Sequence, residues 1–205
     1  MNLTRRFQRS LQRNLTLEDA LPTRMPVYVD SLAYLFGAGT LMALVELIAS
    51  GIVLAAFGPT WYHHRPVGRF VNSLHFWGVQ VFFAALVLHM ATKFFMAAWR
   101  DGRWPTWAVG MLAFFVALFT GLTGYLAQTS FDSQWIAVQS KDAINSAGGG
   151  SLFNPMNLGQ VITLHVVVLP LVIVGLVGLH LFLIRRDGPV RPLPLRGAKA
   201  GEGGR

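Results

Sequence analysis

The sequence contains no cysteine. This absence excludes disulfide bonds, metal sites built from thiolates and any cofactor attached through a thioether. A metal or cofactor bound by this chain is therefore held by other side chains, of which histidine is the commonest metal ligand.

Charged residues are scarce as well, at 13% of the 205 residues, while 53% are hydrophobic and the mean hydropathy is +0.48. This composition is far more apolar than that of an ordinary soluble domain. Four apolar runs, which we call A to D, are long enough to cross a bilayer. They cover residues 32–57, 74–98, 107–127 and 161–184. We predict an all-α membrane protein in which four transmembrane helices form one bundle, without a separate soluble domain.

Positive charge is distributed unevenly between the two sides that four spans create. Fourteen of the 17 Lys and Arg residues fall on the side shared by the N-terminal segment, the B to C connection and the C-terminal tail, and only Arg65, Arg69 and Lys141 on the other. The positive-inside rule then places both termini in the cytoplasm. We read the net charge of +8 as a signal of topology and of lipid-headgroup contact, in a bacterial plasma membrane, rather than of nucleic-acid binding.

The segments outside the runs have distinct patterns. Residues 1–30 repeat apolar side chains every four positions among basic ones, which predicts a cytoplasmic interfacial helix. Residues 31–187 form the predicted membrane domain, and the Pro- and Gly-rich residues 188–205 a flexible tail. The A to B connection is predicted as a short outer loop. In the C to D connection, helical spacing in "FDSQWIAVQSKDAI" precedes a glycine-rich turn region.

Histidines occur in two of the apolar runs. Run B carries His75 and His89, fourteen residues apart, which places them on nearly one helix face with a rise of about 21 Å. Run D carries His165 and His180, fifteen apart, and the Pro170 between them predicts a kink that absorbs the extra residue. With B and D running in the same direction, His75 is level with His165 (the outer pair) and His89 with His180 (the inner pair).

Two imidazoles on either side of a flat ring are what a six-coordinate b-type haem requires. The alternative is that each histidine donates a hydrogen bond to a neighbouring helix. Because both pairs lie at matched depths, we predict two bis-histidine haems.

Glycines recur at the same interval in the other two runs: Gly37 and Gly51 in run A, Gly110 and Gly124 in run C. Their missing side chains are predicted to leave room for two ring edges. The alternative is close helix packing by small residues.

These residues resemble the N-terminal half of cytochrome b from bc-type quinol:cytochrome c oxidoreductases. The resemblance covers runs A to D. In run D, "HVVVLP" and "HLFLIRRDG" are similar to the short, split form typified by cytochrome b-six, and the C to D connection is similar to that of actinobacterial-type cytochromes b.

The resemblance implies roles for individual residues. The outer pair would bind a low-potential haem and the inner pair a high-potential haem, with the four glycines beside the rings. Arg69, Lys93 and Arg100 are the implied partners of haem propionates, although Asn72 stands three residues before His75, where the family often has arginine. Tyr125, Phe131 and Trp135 would line an outer quinol site, and an aromatic core or interfacial anchor is the alternative for these three.

The implied function is transmembrane electron transfer. A quinol would be oxidised near the outer face, with one electron passing to a Rieske iron-sulfur protein and the other through the haems to a quinone near the inner face. The Pro-Glu-Trp-Tyr motif of the family is absent, so the resemblance implies a partner like the C-terminal half of cytochrome b, a c-type cytochrome and a dimeric complex. The alternatives are a di-haem membrane anchor for a soluble dehydrogenase or reductase and a haem-free transporter or scaffold. Glu46 in run A is either a proton carrier or a hydrogen-bonding partner of another helix.

Overall fold

The computed structural model describes residues 32–190, so the predicted interfacial helix and residues 191–205 of the predicted tail lie outside the described residues. The described elements are α1 (Leu32–His64), α2 (Pro66–Phe95), α3 (Trp104–Ala127), α4 (Phe131–Ser146), α5 (Leu158–Thr163), a π-helical turn (Leu164–Val168) and α6 (Leu169–Asp187). Four helical stretches are long and apolar enough to cross a membrane: Ala33–His64, Pro66–Phe95, Trp104–Ala127 and Leu158–Asp187. The prediction of an all-α membrane protein with four spans is confirmed.

The connection between the first two spans differs from the predicted loop. Helix α1 continues to His64 through a kink at Gly58, whose φ of 74° and ψ of 177° are not helical. Pro59 then begins the next helical segment, because the fixed φ of proline suits a first helical turn. Only Arg65 separates α1 from α2. The turn-forming residues therefore produce a kink rather than the short outer loop that we predicted.

The tight junction at Arg65 depends on Gly68. A Cβ atom on this buried residue would lie only 2.7 Å from the Cα atom of Tyr62. No side chain fits between the end of α1 and the first turn of α2, and glycine is the residue that allows two backbones to approach this closely.

The fifteen-residue spacing in the last span is absorbed by a local change of helix type. Residues Leu164–Val168 form a π-helical turn, in which the backbone N–H of Leu169 donates to the Leu164 carbonyl five residues earlier. A π-helical turn inserts one residue without breaking the helix. The extra residue is thus absorbed, as predicted, but by a π-helical turn that precedes Pro170 and contains His165.

The bundle is built from two helix pairs that enclose a small central core. Helix α1 packs along α2, and α3 packs along α5 and α6. One buried residue from each span forms the core: Ala43, Phe82, Ala117 and Ile173. Phe82 is seven residues from both histidines of α2, and Ala117 seven from both glycines of α3. The central core therefore separates two levels of the bundle.

Hydrogen bonds hold three helix ends together at the inner end of the bundle. The Tyr34 hydroxyl donates to the Val190 carbonyl (2.7 Å), the Arg103 guanidinium to the Gly188 carbonyl, and the Thr106 hydroxyl to Asp187 Oδ2 (3.2 Å). The start of α1, the start of α3 and the end of α6 thus lie at the same end, as the predicted topology requires.

Helix α4 confirms the helical spacing read in the C to D connection. The Ser130 side chain caps its first turn by accepting from the Ser133 backbone N–H at 3.2 Å. The buried Ala137 joins Leu126 and Val161 in a second small core, so α4 is held against α3 and α5. This helix therefore has a fixed place beside the outer level of the bundle.

Candidate functional site

The outer pair faces across the interior of the bundle. His75 belongs to α2 and His165 to the π-helical turn, so the two come from different helix pairs. Their ring centroids are 6.3 Å apart, and the ring planes are nearly perpendicular at 87°. The structure therefore brings together the two outer histidines that the sequence predicted to be level.

Hydrogen bonds at Nδ1 fix both rings of the outer pair. His165 Nδ1 lies 3.0 Å from the Thr120 carbonyl, which only accepts, so this nitrogen carries the proton. Thr123 Oγ1, on a fully buried side chain, lies 3.4 Å from the same nitrogen. His75 Nδ1 lies 2.8 Å from Ser50 Oγ. An imidazole whose Nδ1–H donates a hydrogen bond to a fixed partner has its lone pair on Nε2, where it can bind a metal.

The inner pair is held less completely. His180 Nδ1 donates to the Thr106 carbonyl at 3.0 Å. His89 Nδ1 is buried and has no hydrogen-bond partner among the described residues. His89 and His180 lie near enough to interact electrostatically, and Lys93 interacts with both. The predicted inner partners are thus also neighbours, with a cation beside them.

Each of the four predicted glycines lies against a histidine ring of the helix packed beside it. A Cβ atom would come within 3.0 Å of His89 at Gly37, 3.3 Å of His75 at Gly51, 3.1 Å of His180 at Gly110 and 2.5 Å of His165 at Gly124. The missing side chains therefore make room for the imidazoles themselves, and the room for the edges of a flat ring stays a prediction.

The glycines also explain which backbone groups the histidines reach. The carbonyls of Thr106 and Thr120 belong to the residues four positions before Gly110 and Gly124. Because no Cβ intervenes, the imidazole lies close enough to the helix surface to share the carbonyl that the glycine N–H occupies. Sequence reasoning missed these carbonyls, because a backbone partner leaves no trace in residue identity. It also missed Ser50, whose position directly before Gly51 was the available signal.

Lys93 is the most unusual of the three predicted cationic residues. Its Nζ atom is buried without a hydrogen-bond partner among the described residues and lies 3.6 Å from the ring centroid of Tyr34. A buried ammonium that lacks an anion is unfavourable, so this cation suits an acidic group beside the inner pair. Arg100 approaches Asp101, with 3.6 Å between Nε and Oδ2.

Arg69 and Asn72 line one open cleft at the outer end of α2, with a volume of about 390 Å³. Ser73 and Gln128 lie along the same cleft. Arginine is therefore present one helical turn before the position where the family often carries it, and the cleft joins that position to the outer surface.

The three predicted quinol-site residues lie on either side of the connection between α3 and α4, and their side chains are exposed. Tyr125 is in the last turns of α3, and Phe131 and Trp135 are in the first turns of α4 with 85% and 60% of their surface exposed. These side chains present an apolar surface at the outer end of the bundle rather than a closed pocket of their own.

Glu46 lies at the contact between α1 and α2. Its Oε2 atom occupies the space that a side chain on Gly78 would take, and its Oε1 atom is buried without a hydrogen-bond partner among the described residues. The acid thus lies against a neighbouring helix, and the choice between the two predicted roles, proton carrier or hydrogen-bonding partner, stays a prediction.

Comparison with known proteins gives a consistent assignment. A profile of the family described as "Cytochrome b(N-terminal)/b6/petB" matches residues 80–200. The cytochrome b subunit of menaquinol:cytochrome c reductase from Geobacillus thermodenitrificans is 28% identical, over 81% of this chain and 84% of the relative. Cytochrome b from Schizosaccharomyces japonicus is 29% identical, over 82% of this chain and 49% of the relative.

A solved structure shares the fold. A chain of a "Hyperthermophilic respiratory Complex III" superimposes with a TM-score of 0.70 and 27% identity, over 77% of this chain and 48% of that chain. The chain thus spans most of the bacterial relative, but about half the length of the yeast cytochrome b and of the complex III chain.

Proposed function

The chain belongs to the N-terminal cytochrome b family and is a cytochrome b redox subunit of a bc-type complex, and on that premise we propose that it holds two b-type haems, one at each histidine pair. The observation that carries this proposal is the pairing itself. His75 faces His165 at the outer level, His89 and His180 are neighbours at the inner level, and three of the four histidines have Nδ1 hydrogen-bonded to a neighbouring helix.

The donor set fits a haem better than a bare metal ion. Among residues 32–190, no group of three or more His, Cys, Asp or Glu side chains is placed to hold a metal. A structural or catalytic metal ion ordinarily takes at least three protein ligands. Two facing imidazoles suffice when a macrocycle supplies the other ligands, as in b-type haem.

The spacing of the outer pair also fits. A histidine nitrogen lies ~2 Å from a first-row metal ion and about 1.1 Å from its own ring centroid. Two such ligands on opposite sides of one metal place their centroids roughly 6 Å apart, and the observed separation is 6.3 Å.

The positions of the cationic residues suggest which of them would pair with the propionates of each haem. Lys93 offers a buried ammonium beside the inner pair, and Arg69 lines the cleft at the outer end of α2. We assign the propionates of the inner haem to Lys93, with Arg100 nearby, and those of the outer haem to Arg69.

When bound, the haems supply the one-electron redox chemistry. The chain contributes ligand geometry, fixed tautomers and a dry interior around the central core. Electrons would move from outer-side quinol oxidation toward a quinone near the inner end. The Geobacillus relative is named for menaquinol, and we propose the same class of quinol here.

The outer quinol site is proposed to be shared between subunits. Phe131 and Trp135 are exposed on α4, so a second chain is needed to close a pocket over them. We propose that this chain resembles the C-terminal half of cytochrome b, and that a Rieske protein and a c-type cytochrome complete a dimeric complex in the bacterial plasma membrane, with both termini cytoplasmic.

Redox titration of difference spectra tests this proposal. The wild type should show two b-type components, and His75→Ala and His89→Ala should each retain one. His64→Ala is the matched control, because His64 is exposed and lies outside both pairs, and it should retain two. Equal haem content in all four proteins would overturn the assignment.

A further inference from the structure

Ser50 connects α1 to the outer pair through a side chain. It is buried, with 5% of its surface exposed, and lies directly before Gly51. Its Oγ atom is 2.8 Å from His75 Nδ1, 2.9 Å from the Glu46 carbonyl and 3.3 Å from the Leu47 carbonyl. One hydroxyl therefore lies between a histidine and the backbone of its own helix.

Counting protons defines the role of this hydroxyl. A serine has a single proton to donate, and the carbonyls of Glu46 and Leu47 only accept. When Ser50 donates to the Glu46 carbonyl, its oxygen must accept from His75 Nδ1, so that nitrogen carries the proton. The Nε2 atom of His75 is then unprotonated and presents its lone pair to the bundle interior.

Within the part of the chain that the structure describes, the inner pair has no such hydroxyl. The position that corresponds to Ser50, directly before Gly37, is Phe36. The neighbouring histidine, His89, has no hydrogen-bond partner for Nδ1 among the described residues. The two levels thus differ at one matched position on α1.

We propose that Ser50 is a positioning residue that fixes the tautomer of His75 and lowers the midpoint potential of the outer haem relative to the inner haem. This inference rests on the proposed function. An imidazole that donates its Nδ1 proton to an acceptor becomes a more basic ligand. A more basic ligand stabilises ferric iron over ferrous iron, so the potential falls. The difference favours electron transfer from the outer level to the inner level.

The test is a redox titration of the purified complex carrying Ser50→Ala, with EPR spectra of the ferric haems. We expect a two- to fivefold shift in the one-electron equilibrium of the outer haem toward reduction, roughly 20–40 mV. The ferric signal of that haem should shift, and the inner haem should be unchanged. The shift is modest because Ser50→Ala removes one hydrogen bond from one of the two proposed ligands.

Two further variants control this experiment. Ser50→Thr retains a hydroxyl and should restore the wild-type potential. Thr40→Ala removes a hydroxyl of α1 that donates to the Phe36 carbonyl at 2.8 Å, and it should leave both haems unchanged. Specific loss of the outer haem in Ser50→Ala, with recovery in Ser50→Thr, would also support the role.

Other results would overturn the inference. An unchanged outer potential and EPR signal in Ser50→Ala would do so, as would an equal shift in Ser50→Ala and Thr40→Ala. A wild type without two b-type components would instead overturn the proposed function, so the two failures are distinguishable.

Discussion

The outer and inner histidine pairs are built to one plan but differ in how firmly they are held. At the outer level both Nδ1 atoms have partners, a serine hydroxyl and a backbone carbonyl. At the inner level, only His180 has a partner for Nδ1 among residues 32–190, while a buried ammonium lies nearby. We therefore expect hydrogen bonding to the histidines to be the main influence on the haem potential at the outer level, and a nearby charge to be the main influence at the inner level.

The largest expected effect comes from filling the tightest glycine. Gly124→Ala would place a Cβ atom on α3 only 2.5 Å from the ring of His165, which belongs to the π-helical turn. Overpacking of this kind costs about 1–3 kcal/mol, and here it displaces a proposed ligand. We expect the variant to lose the outer haem and retain the inner one, as measured by the haem-to-protein ratio and by redox titration.

The matched control for this variant is Gly175→Ala. Gly175 lies in α6, and a Cβ atom there meets nothing within 4 Å. Alanine is favoured over glycine in a helix, so haem content should not change. Gly51→Ala, with its closest approach at 3.3 Å, should fall between the two. Equal haem content in Gly124→Ala and Gly175→Ala would contradict the proposal that Gly124 makes room for the His165 ring.

The second prediction concerns charge at the inner level. Lys93→Gln removes the buried ammonium that interacts with His89 and His180. A nearby cation favours the reduced haem, which carries one more negative charge. We expect the midpoint potential of the inner haem to fall by roughly 59 mV, which corresponds to about a tenfold change in its one-electron equilibrium constant. The potential of the outer haem should change little.

Lys141→Gln is the control for charge, since Lys141 lies on α4 at the outer end. It should not change the inner potential. A fall in both potentials in Lys93→Gln would show that the charge acts on the whole bundle and would remove the contrast between levels.

Sequence reasoning identified the features that depend on side-chain identity and helical period. The four spans, helix α4 and the level pairing of the histidines follow from apolar runs and from intervals of fourteen or fifteen residues. The prediction of a short loop between the first two spans was wrong, because Gly58 and Pro59 suit a helix kink as well as a loop. The Thr106 and Thr120 carbonyls were not predictable, because they depend on how closely α6 and the π-helical turn approach α3.

The smallest expected effect comes from placing a serine hydroxyl at the inner level, in the position that corresponds to Ser50. Phe36→Ser places a hydroxyl directly before Gly37, the position that Ser50 has before Gly51. When this hydroxyl accepts a hydrogen bond from His89 Nδ1, His89 becomes a more basic ligand. The midpoint potential of the inner haem should then fall by roughly 20 mV, which corresponds to about a twofold change in its equilibrium constant. Phe36→Ala separates this from loss of the phenyl ring, and equal potentials in the two variants would show that the matched positions are not equivalent.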